Sequence, residues 1–357
     1  MPYLDVVREI DIPQSFRVAQ IVSMFDVPLT QKLHKSWQVN LPIDVDDWQI
    51  GVIVGPSGCG KSSIAQSMWP EQYTRGYAWN DASILDNFPA ELGSKVIINA
   101  LTSVGFSSPP DWIKPYGALS TGQQMRADLA RALISATLVV FDEFTSVVDR
   151  TVAQVGSAAI AKAIRKQPGR QFIAVTCHAD VVAWLEPDWV YEPHTALFQR
   201  RSQRRPSIDI SISRCHSSAW PLFKDAHYLS ADLNPSASCY IAEWNGVPIA
   251  FVAVLPMIGF KNAYRISRVV VLPDYQGIGV GSRLSAAIGD LYRNQGKRLR
   301  ITTSHPGMIA SMNHSTRWAL CGDYKNGTKT PGRADLRKGH KTTGGRAIIT
   351  FEYMGAV

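Results

Sequence analysis

The chain has little sulfur chemistry to offer. Its five cysteines, Cys59, Cys177, Cys215, Cys239 and Cys321, are scattered through 357 residues and no two stand at C-x-x-C spacing. That excludes a zinc site of the usual spacing and a disulfide framework, and reads as five reduced thiols. No apolar run is long enough to span a bilayer. The opening stretch "MPYLDVVREIDIPQSF" has acids early and lacks the apolar core of a signal peptide, so a cytoplasmic protein with no membrane partner is expected. Internal repeats are absent too, which excludes solenoids and propellers.

Acidic residues are scarce in two places. Arg200, Arg201, Arg204 and Arg205 crowd a short stretch closed by Pro206. Lys325, Lys329, Arg333, Arg337, Lys338, Lys341 and Arg346 stud a Gly/Thr-rich tail in which Asp335 is the only acid. A charge run is ordinarily solvated surface. These clusters, within a net charge of +8, favour a polyanionic partner such as DNA or RNA over a membrane, because no amphipathic apolar face accompanies them.

The length allows two domains. The apolar runs "QIGVIV", "ATLVVFDEF" and "RQFIAVTCH" alternate with the helical patterns "QQMRADLARALI" and "VAQVGSAAIAKAIRKQ", which predicts a mostly parallel sheet covered by helices. This pattern ends near residue 199, and the basic stretch 200–206 reads as a linker. From 207 to 357 the pattern is mixed. "CYIAEWNGVPIAFVAVL" folds about an Asn245-Gly246 turn, a strong hairpin signal. "YRISRVVVLP" leads into a glycine turn and the helix "SRLSAAIGDLYRNQG". The fold class expected is α/β throughout, with a mixed sheet in the second domain.

Chemistry begins at "GPSGCGKSS", which follows an apolar strand and opens a helix. Gly55-x-x-x-x-Gly60-Lys61-Ser62 is the full Walker A pattern. Gly55, Gly58 and Gly60 let the backbone N–H groups of the loop, Ser57, Cys59 and Ser63 among its residues, close around a diphosphate at a helix start. Lys61 can neutralise the β and γ oxygens of ATP, and the Ser62 hydroxyl can ligate Mg²⁺. Downstream come "LSTGQQMRADLARAL" (119–133), "LVVFDE" ending in Asp142-Glu143, "SVVD" (146–149) and "VTCHAD" with His178. Singly, a DE pair reads as a helix cap and a lone histidine as structural. Five motifs in this order resemble the ABC-type ATPases. The resemblance implies that Asp142 holds Mg²⁺ through water, Glu143 polarises the attacking water, and His178 contacts the γ-phosphate. It further implies that Ser120, Gly122 and Gln123 of the signature meet ATP held by a second copy, giving a head-to-tail homodimer through the ATPase domains.

Two features depart from that family. The interval from Lys61 to Ser120 is short, so a reduced helical subdomain is expected. No convincing Q-loop glutamine is present: Gln72 is early and Asn80 a weak stand-in, which argues against a transporter subunit. For an aromatic beside the adenine, Phe25 and Trp37 are candidates, with a core role the commoner fate of either.

The second glycine turn lies in "VVVLPDYQGIGVGSRL". A strand containing Val269, Val270 and Val271 runs into Gln276-Gly277-Ile278-Gly279-Val280-Gly281-Ser282 and then a helix. A dinucleotide fold would want an acid about twenty positions on, where this chain has the basic "NQGKRLR". The stretch resembles motif A of the GNAT acetyltransferases, (Gln/Arg)-x-x-Gly-x-(Gly/Ala). The resemblance implies that these N–H groups wrap the pyrophosphate of acetyl-CoA, or another acyl-CoA, while the strand splays from its neighbour and pairs with the pantetheine arm. The family's tyrosine acid is not evident, Trp318 standing near its place and Tyr324 later. Ser304, His305 and His314 are substitutes, Glu243 and His227 candidate bases, and an ordinary structural role stands beside each.

Nearly the whole chain resembles fusions of an ABC-type ATPase (1–199) to a GNAT acyltransferase (207–357). The "DAHYLS" and "TTSHP" segments and the basic tail resemble the Mom-like GNAT proteins of phage, which modify the exocyclic amine of adenine in DNA. The expected function is an ATP-gated acyl transfer to a base amine of nucleic acid, with the basic stretches on phosphates and a duplex base extruded. The rivals are acylation of a protein or small-molecule amine with the ATPase as regulator, and a non-enzymatic module that senses coenzyme A.

Overall fold

The computed structural model describes residues 3–25, 32–43, 48–200, 207–227, 232–325 and 347–355. Arg201, Arg204, Arg205, Tyr228 and the tail cations from Lys329 to Arg346 lie outside the described residues. By compactness the chain forms two units, Met1–Ala78 with Arg131–Pro206, and Trp79–Ala130 with Ser207–Val357. One division falls between residues 206 and 207. The other falls within the first 199 residues, where residues 79–130 group with the C-terminal residues.

The first unit is built on a six-stranded sheet ordered β4 (Tyr73–Thr74), β5 (Leu138–Phe141), β6 (Gln171–Thr176), β3 (Ile50–Val54), β7 (Trp189–Glu192) and β8 (Leu197–Arg200). All neighbours are parallel except the β7–β8 hairpin. Every residue of β3 is buried, as a strand covered on both faces must be, and its unbroken apolar sequence follows from that. A two-stranded ribbon, β1 (Tyr3–Asp11) with β2 (Lys32–Asn40), encloses α1 (Phe16–Phe25) in sequence. The sheet is accompanied by α2 (Lys61–Met68), α6 (Arg150–Arg165) and α7 (Val181–Leu185), and the core gathers Val6, Val39, Ile53, Ile64, Val140, Ile173 and Trp189.

The second unit holds α3 (Ser94–Ser103), α4 (Pro109–Trp112) and the start of α5 (Thr121–Ser135), a short helical segment of the kind the Lys61–Ser120 interval predicts. Its sheet has seven strands ordered β14 (Trp318–Lys325), β15 (Ala347–Tyr353), β13 (Arg298–Thr303), β12 (Ala263–Val271), β11 (Val247–Pro256), β10 (Ser238–Trp244) and β9 (Ile210–Cys215). Among the described residues only β12 and β13 run parallel there. Helix α8 (Val280–Asn294) supplies the crossover between them and buries Val280, Leu284, Ile288 and Tyr292, while α9 (Pro306–Asn313) follows β13. The expected hairpin joins β10 to β11, with Asn245 (φ 53) and Gly246 (φ 77) both left-handed, as a two-residue turn of this twist requires. Among the described residues no helix is long and apolar enough to cross a membrane.

One glycine in β3 is forced by its neighbour. Gly51 pairs with Trp189 across β3 and β7, and a Cβ at Gly51 would stand 2.1 Å from Trp189 Cζ2. The indole lies over the bare backbone and meets Trp48 edge-on with ring centroids 5.4 Å apart. Gly51→Ala therefore lowers stability by about 1–3 kcal/mol, the usual penalty for overfilling a packed core. A urea midpoint equal to that of the parent chain, at equal slope, contradicts this packing.

Candidate functional site

Two helix starts share one construction. Gly60 is the N-cap of α2 at φ 97 and Gly279 the N-cap of α8 at φ 96, and neither helix has a side-chain cap bond. The first N–H groups of a helix have no intrahelical acceptor, so a start without a capping side chain leaves donors and the positive end of the dipole for an anion. The sequence places a diphosphate motif on each.

At the first start, Gly58 (φ 80) would meet nothing with a Cβ, so the loop face there is open. Lys61 Nζ donates to Gly55 O at 2.8 Å and Pro56 O at 2.9 Å, which lays the ammonium along the loop. Ser62 Oγ donates to Asp142 Oδ1 at 3.1 Å. Asp142, 2% exposed, follows β5, while α2 follows β3, so the long-range pair forms beyond the C-terminal ends of two strands separated only by β6. A hydroxyl beside a buried carboxylate is the hard-oxygen donor set that Mg²⁺ prefers.

The turn after β5 separates the two acids. Phe144 is fully buried, its N–H donates to Val175 O at 2.9 Å, and it packs edge-on against Phe141 and Phe172. Anchoring it there turns Glu143 outward with φ 53, where its carboxylate accepts from Ser146 Oγ at 2.7 Å. Thr145 is left-handed as well, at φ 67. Two non-glycine residues so close together in this region are strain that a packed aromatic has to offset. His178 follows β6, its N–H donating to Thr176 Oγ1 at 3.1 Å. Its Nδ1 is buried without a hydrogen-bond partner. Asp149 caps α6, accepting from the N–H groups of Thr151 and Val152.

Sequence reasoning missed two partners of Asp142. The Tyr73 hydroxyl donates to Asp142 Oδ2, and Arg75 Nε donates to the same oxygen at 3.0 Å. Burial, reinforced by Asp142, pushes the Tyr73 phenol pKa up, and the hydrogen bond to Asp142 raises that of Arg75. Their sequence signal is only that Tyr73 lies in β4 and Arg75 directly after it, β4 being the strand paired with β5. Asn80, the weak Q-loop stand-in, instead closes a local turn, its Oδ1 accepting from Ala82 N at 2.9 Å. Of the two aromatics, Trp37 reaches the loop: its indole would lie 2.3 Å from a Cβ at Gly60. Phe25 is 68% exposed.

The signature opens α5 with a capping box. Gln123 N donates to Ser120 Oγ at 3.4 Å and Ser120 N to Gln123 Oε1 at 3.0 Å, with Gly122 buried between them.

At the second start, the β12–β13 ladder ends at Ile266↔Ile301, while β12 goes on pairing with β11 as far as Val271↔Ala250. A register shift at Ala253/Val254 leaves Ser267 unmatched, and an extra residue of this kind bends a strand away from its partner. Val269 to Val271 therefore extend past the last β13 partner, and the short turn Pro273–Tyr275 follows. Gly277 is left-handed at φ 94. A Cβ at Gly281 would touch Val271 at 3.3 Å, so the first turn of α8 lies down on the strand. The Gln276 side chain is spent on protein: Oε1 accepts from Ser107 N at 3.1 Å, and Nε2 donates to Val271 O at 2.9 Å. Ser282 Oγ accepts from Ser311 Oγ at 2.7 Å.

The acid and base candidates fall on separate elements. Ser304 is half-buried between β13 and α9. His227 ends a short turn and meets Trp220 edge-on at 5.7 Å. His314 Nδ1 lies 2.7 Å from Ala310 O and closes α9, and Trp318 belongs to the core. His305 is the N-cap of α9: Nδ1 accepts from Met308 N at 3.4 Å, which puts the proton on Nε2, 3.1 Å from Ser107 O. Burial pushes its pKa below the ordinary 6.5, with the Ser107 carbonyl opposing. The unfolded histidine thus takes a proton that the folded one refuses, so stability falls as pH drops below about 6.5 and levels off at the lowered folded value. Melting curves from about pH 7.5 to 5.5 should show a steeper decline for the parent chain than for His305→Gln. Parallel declines would refute the assignment.

Residues 205–312 match the model of the acetyltransferase (GNAT) family. No curated protein matches the chain. Among solved structures, the ribosomal-protein-S18-alanine N-acetyltransferase from Escherichia coli aligns at 17% identity and TM-score 0.32, over 42% of this chain and 96% of that one. The cassette cbiO1 from Clostridium perfringens, part of the ABC transporter complex cbiONQ, aligns at 18% identity and TM-score 0.34, over 45% and 76% of the two chains. A bacterial ABC transporter cassette solved as a dimer aligns at 16% and 0.36, over 45% and 89%. The C-terminal part of this mixed α/β chain is a domain of the GNAT acetyltransferase family, matched over residues 205–312.

Proposed function

We propose that the chain is an ATP-dependent N-acyltransferase that acts on an amine of nucleic acid. The observation that carries this reading is the pair of glycine-capped helix starts, each on a diphosphate motif and each without a capping side chain. On this reading the loop of Gly55, Ser57, Gly58, Cys59, Gly60, Lys61, Ser62 and Ser63 holds ATP. Ser62 and Asp142 hold Mg²⁺, which neutralises and polarises the phosphate oxygens when bound. Glu143, turned outward by the Phe144 anchor, orients the attacking water. His178 follows β6, the strand beside β5, and its orphaned Nδ1 is suited to a phosphate contact. Trp37, against Gly60, is placed beside the base. Ser120, Gly122 and Gln123 cap the ATP of a second copy, head to tail.

At the other start, Gly277, Ile278, Gly279, Val280, Gly281 and the Gln276 backbone grip the coenzyme A diphosphate, and Val269 to Val271 pair with the pantetheine arm. The acceptor nitrogen attacks the thioester carbon, the C–S bond breaks, and an amide forms. One proton leaves the amine and another reaches the departing sulfur. His227 and Ser304 are the pair assigned to these transfers. Support for nucleic acid as acceptor is the charge pattern of the sequence: seven cations and one acid between residues 325 and 346.

The direct measurement offers labelled acetyl-CoA, ATP and Mg²⁺ to the protein with DNA, RNA, protein and small amines in parallel. Label is expected on nucleic acid and in larger amount with ATP. Label confined to protein or small amines moves the acceptor assignment, and label in none, with or without ATP, ends the transferase reading. For the nucleotide half, Glu143→Gln is expected to double its apparent mass in solution at saturating ATP. A species that stays monomeric there contradicts the paired site.

A further inference from the structure

Within the second unit, the ATPase signature and the coenzyme A turn are joined by a buried cation. Arg126 lies in α5 six residues beyond Ser120, about 9 Å along the helix axis. It is 1% exposed, and a buried guanidinium is tolerated only where its N–H groups find acceptors. Nη1 donates to Pro273 O and Nη2 to Asp274 O at 2.9 Å. Those carbonyls belong to the turn Pro273–Tyr275, which sets Gln276 and the glycines behind it. The fork thus grips the backbone just before the diphosphate motif.

The same helical segment takes hold of the turn a second time. Ser107 N donates to Gln276 Oε1 at 3.1 Å, and Ser107 O lies 3.1 Å from His305 Nε2. Gly105 (φ 86) comes so close that a Cβ would stand 2.5 Å from Gln276 O. Thr102 fits against Gly307, where a Cβ would meet it at 2.7 Å. Residues 102–107 therefore clasp Gln276 from one side and the start of α9 from another, while Arg126 holds the preceding carbonyls.

We infer that Arg126 is a positioning residue for the coenzyme A site, and that through it nucleotide bound at the signature and acyl-CoA bound at the turn alter each other's affinity. The inference rests on the reading of the two sites above. A capping box that engages a phosphate moves with its own helix, and the fork fixes that helix to the carbonyls orienting the turn. Binding linkage of this kind is reciprocal, and typically five- to 150-fold.

The test measures acetyl-CoA affinity of the full chain with and without a saturating non-hydrolysable ATP analogue and Mg²⁺. The expected ratio is fivefold or more, with acetyl-CoA changing analogue affinity by the same factor. In Arg126→Lys the cation stays and the fork is lost, so the ratio should fall below twofold while analogue affinity without acetyl-CoA is unchanged. A purely structural arginine would shift melting temperature and leave the ratio alone. Should Arg126→Lys fail to fold, Gly105→Ala tests the other side of the clasp, weakening acetyl-CoA at least fivefold with analogue affinity retained. Acetyl-CoA binding at a ratio of one, or a full ratio in the folded variants, overturns the linkage and leaves the site reading intact. No acetyl-CoA binding under any condition overturns both.

Discussion

A peptide N–H at the start of a helix has no partner in its own helix, and at two starts of this chain a left-handed glycine stands where a capping side chain would. Where most helices begin on a serine or an aspartate that satisfies the first donors, as α6 does with Asp149, α2 and α8 begin on left-handed glycines. Burying donors without acceptors is costly, so the rest of each unit is arranged to keep these starts open and oriented. For α2 that means a fully buried strand ending in the loop and a buried carboxylate beside Ser62. For α8 it means a strand that outlasts its parallel partner and a turn clasped by residues from another part of the chain.

The clasp changes how the molecule divides. The helical segment of residues 79–130 carries the Ser120–Gln123 box, yet groups with the C-terminal residues. Several of its contacts involve backbone: the carbonyls of Pro273 and Asp274 under Arg126, the Gln276 carbonyl facing Gly105, and the Ser107 carbonyl facing His305. Backbone contacts of this kind fix geometry closely because they leave no rotamer to relax. The Gln276 carbonyl also explains why glycine stands at 105.

The motifs and the elements beneath them were legible in the sequence because they are local. The Gly55–Ser62 spacing, the Asp142-Glu143 pair after an apolar run, the Ser120–Gln123 box and the 276–281 turn are each read within a few residues, and in every case the element found beneath them is the one the pattern demands. The Asn245-Gly246 hairpin belongs to the same class. Placement was less legible. Trp37 and Phe25 look alike in the sequence, and only the β1–β2 ribbon brings one of them against Gly60. Ser304, His305 and His314 are similarly undistinguished until α9 is built and the rings of His305 and His314 are seen against backbone acceptors.

What the sequence determined by itself, then, is where two glycine-capped helix starts lie and which carboxylates, hydroxyl and lysine accompany the first. Spacing along one strand, turn or helix dictates those. What only the tertiary structure decided is the company each start keeps: Tyr73 and Arg75 on Asp142, Arg126 on the carbonyls of 273 and 274, and Gln276 turned inward to Ser107. These pairs join residues up to 169 positions apart. No periodicity records them, since the burial and register that bring them together exist only once the sheets have formed.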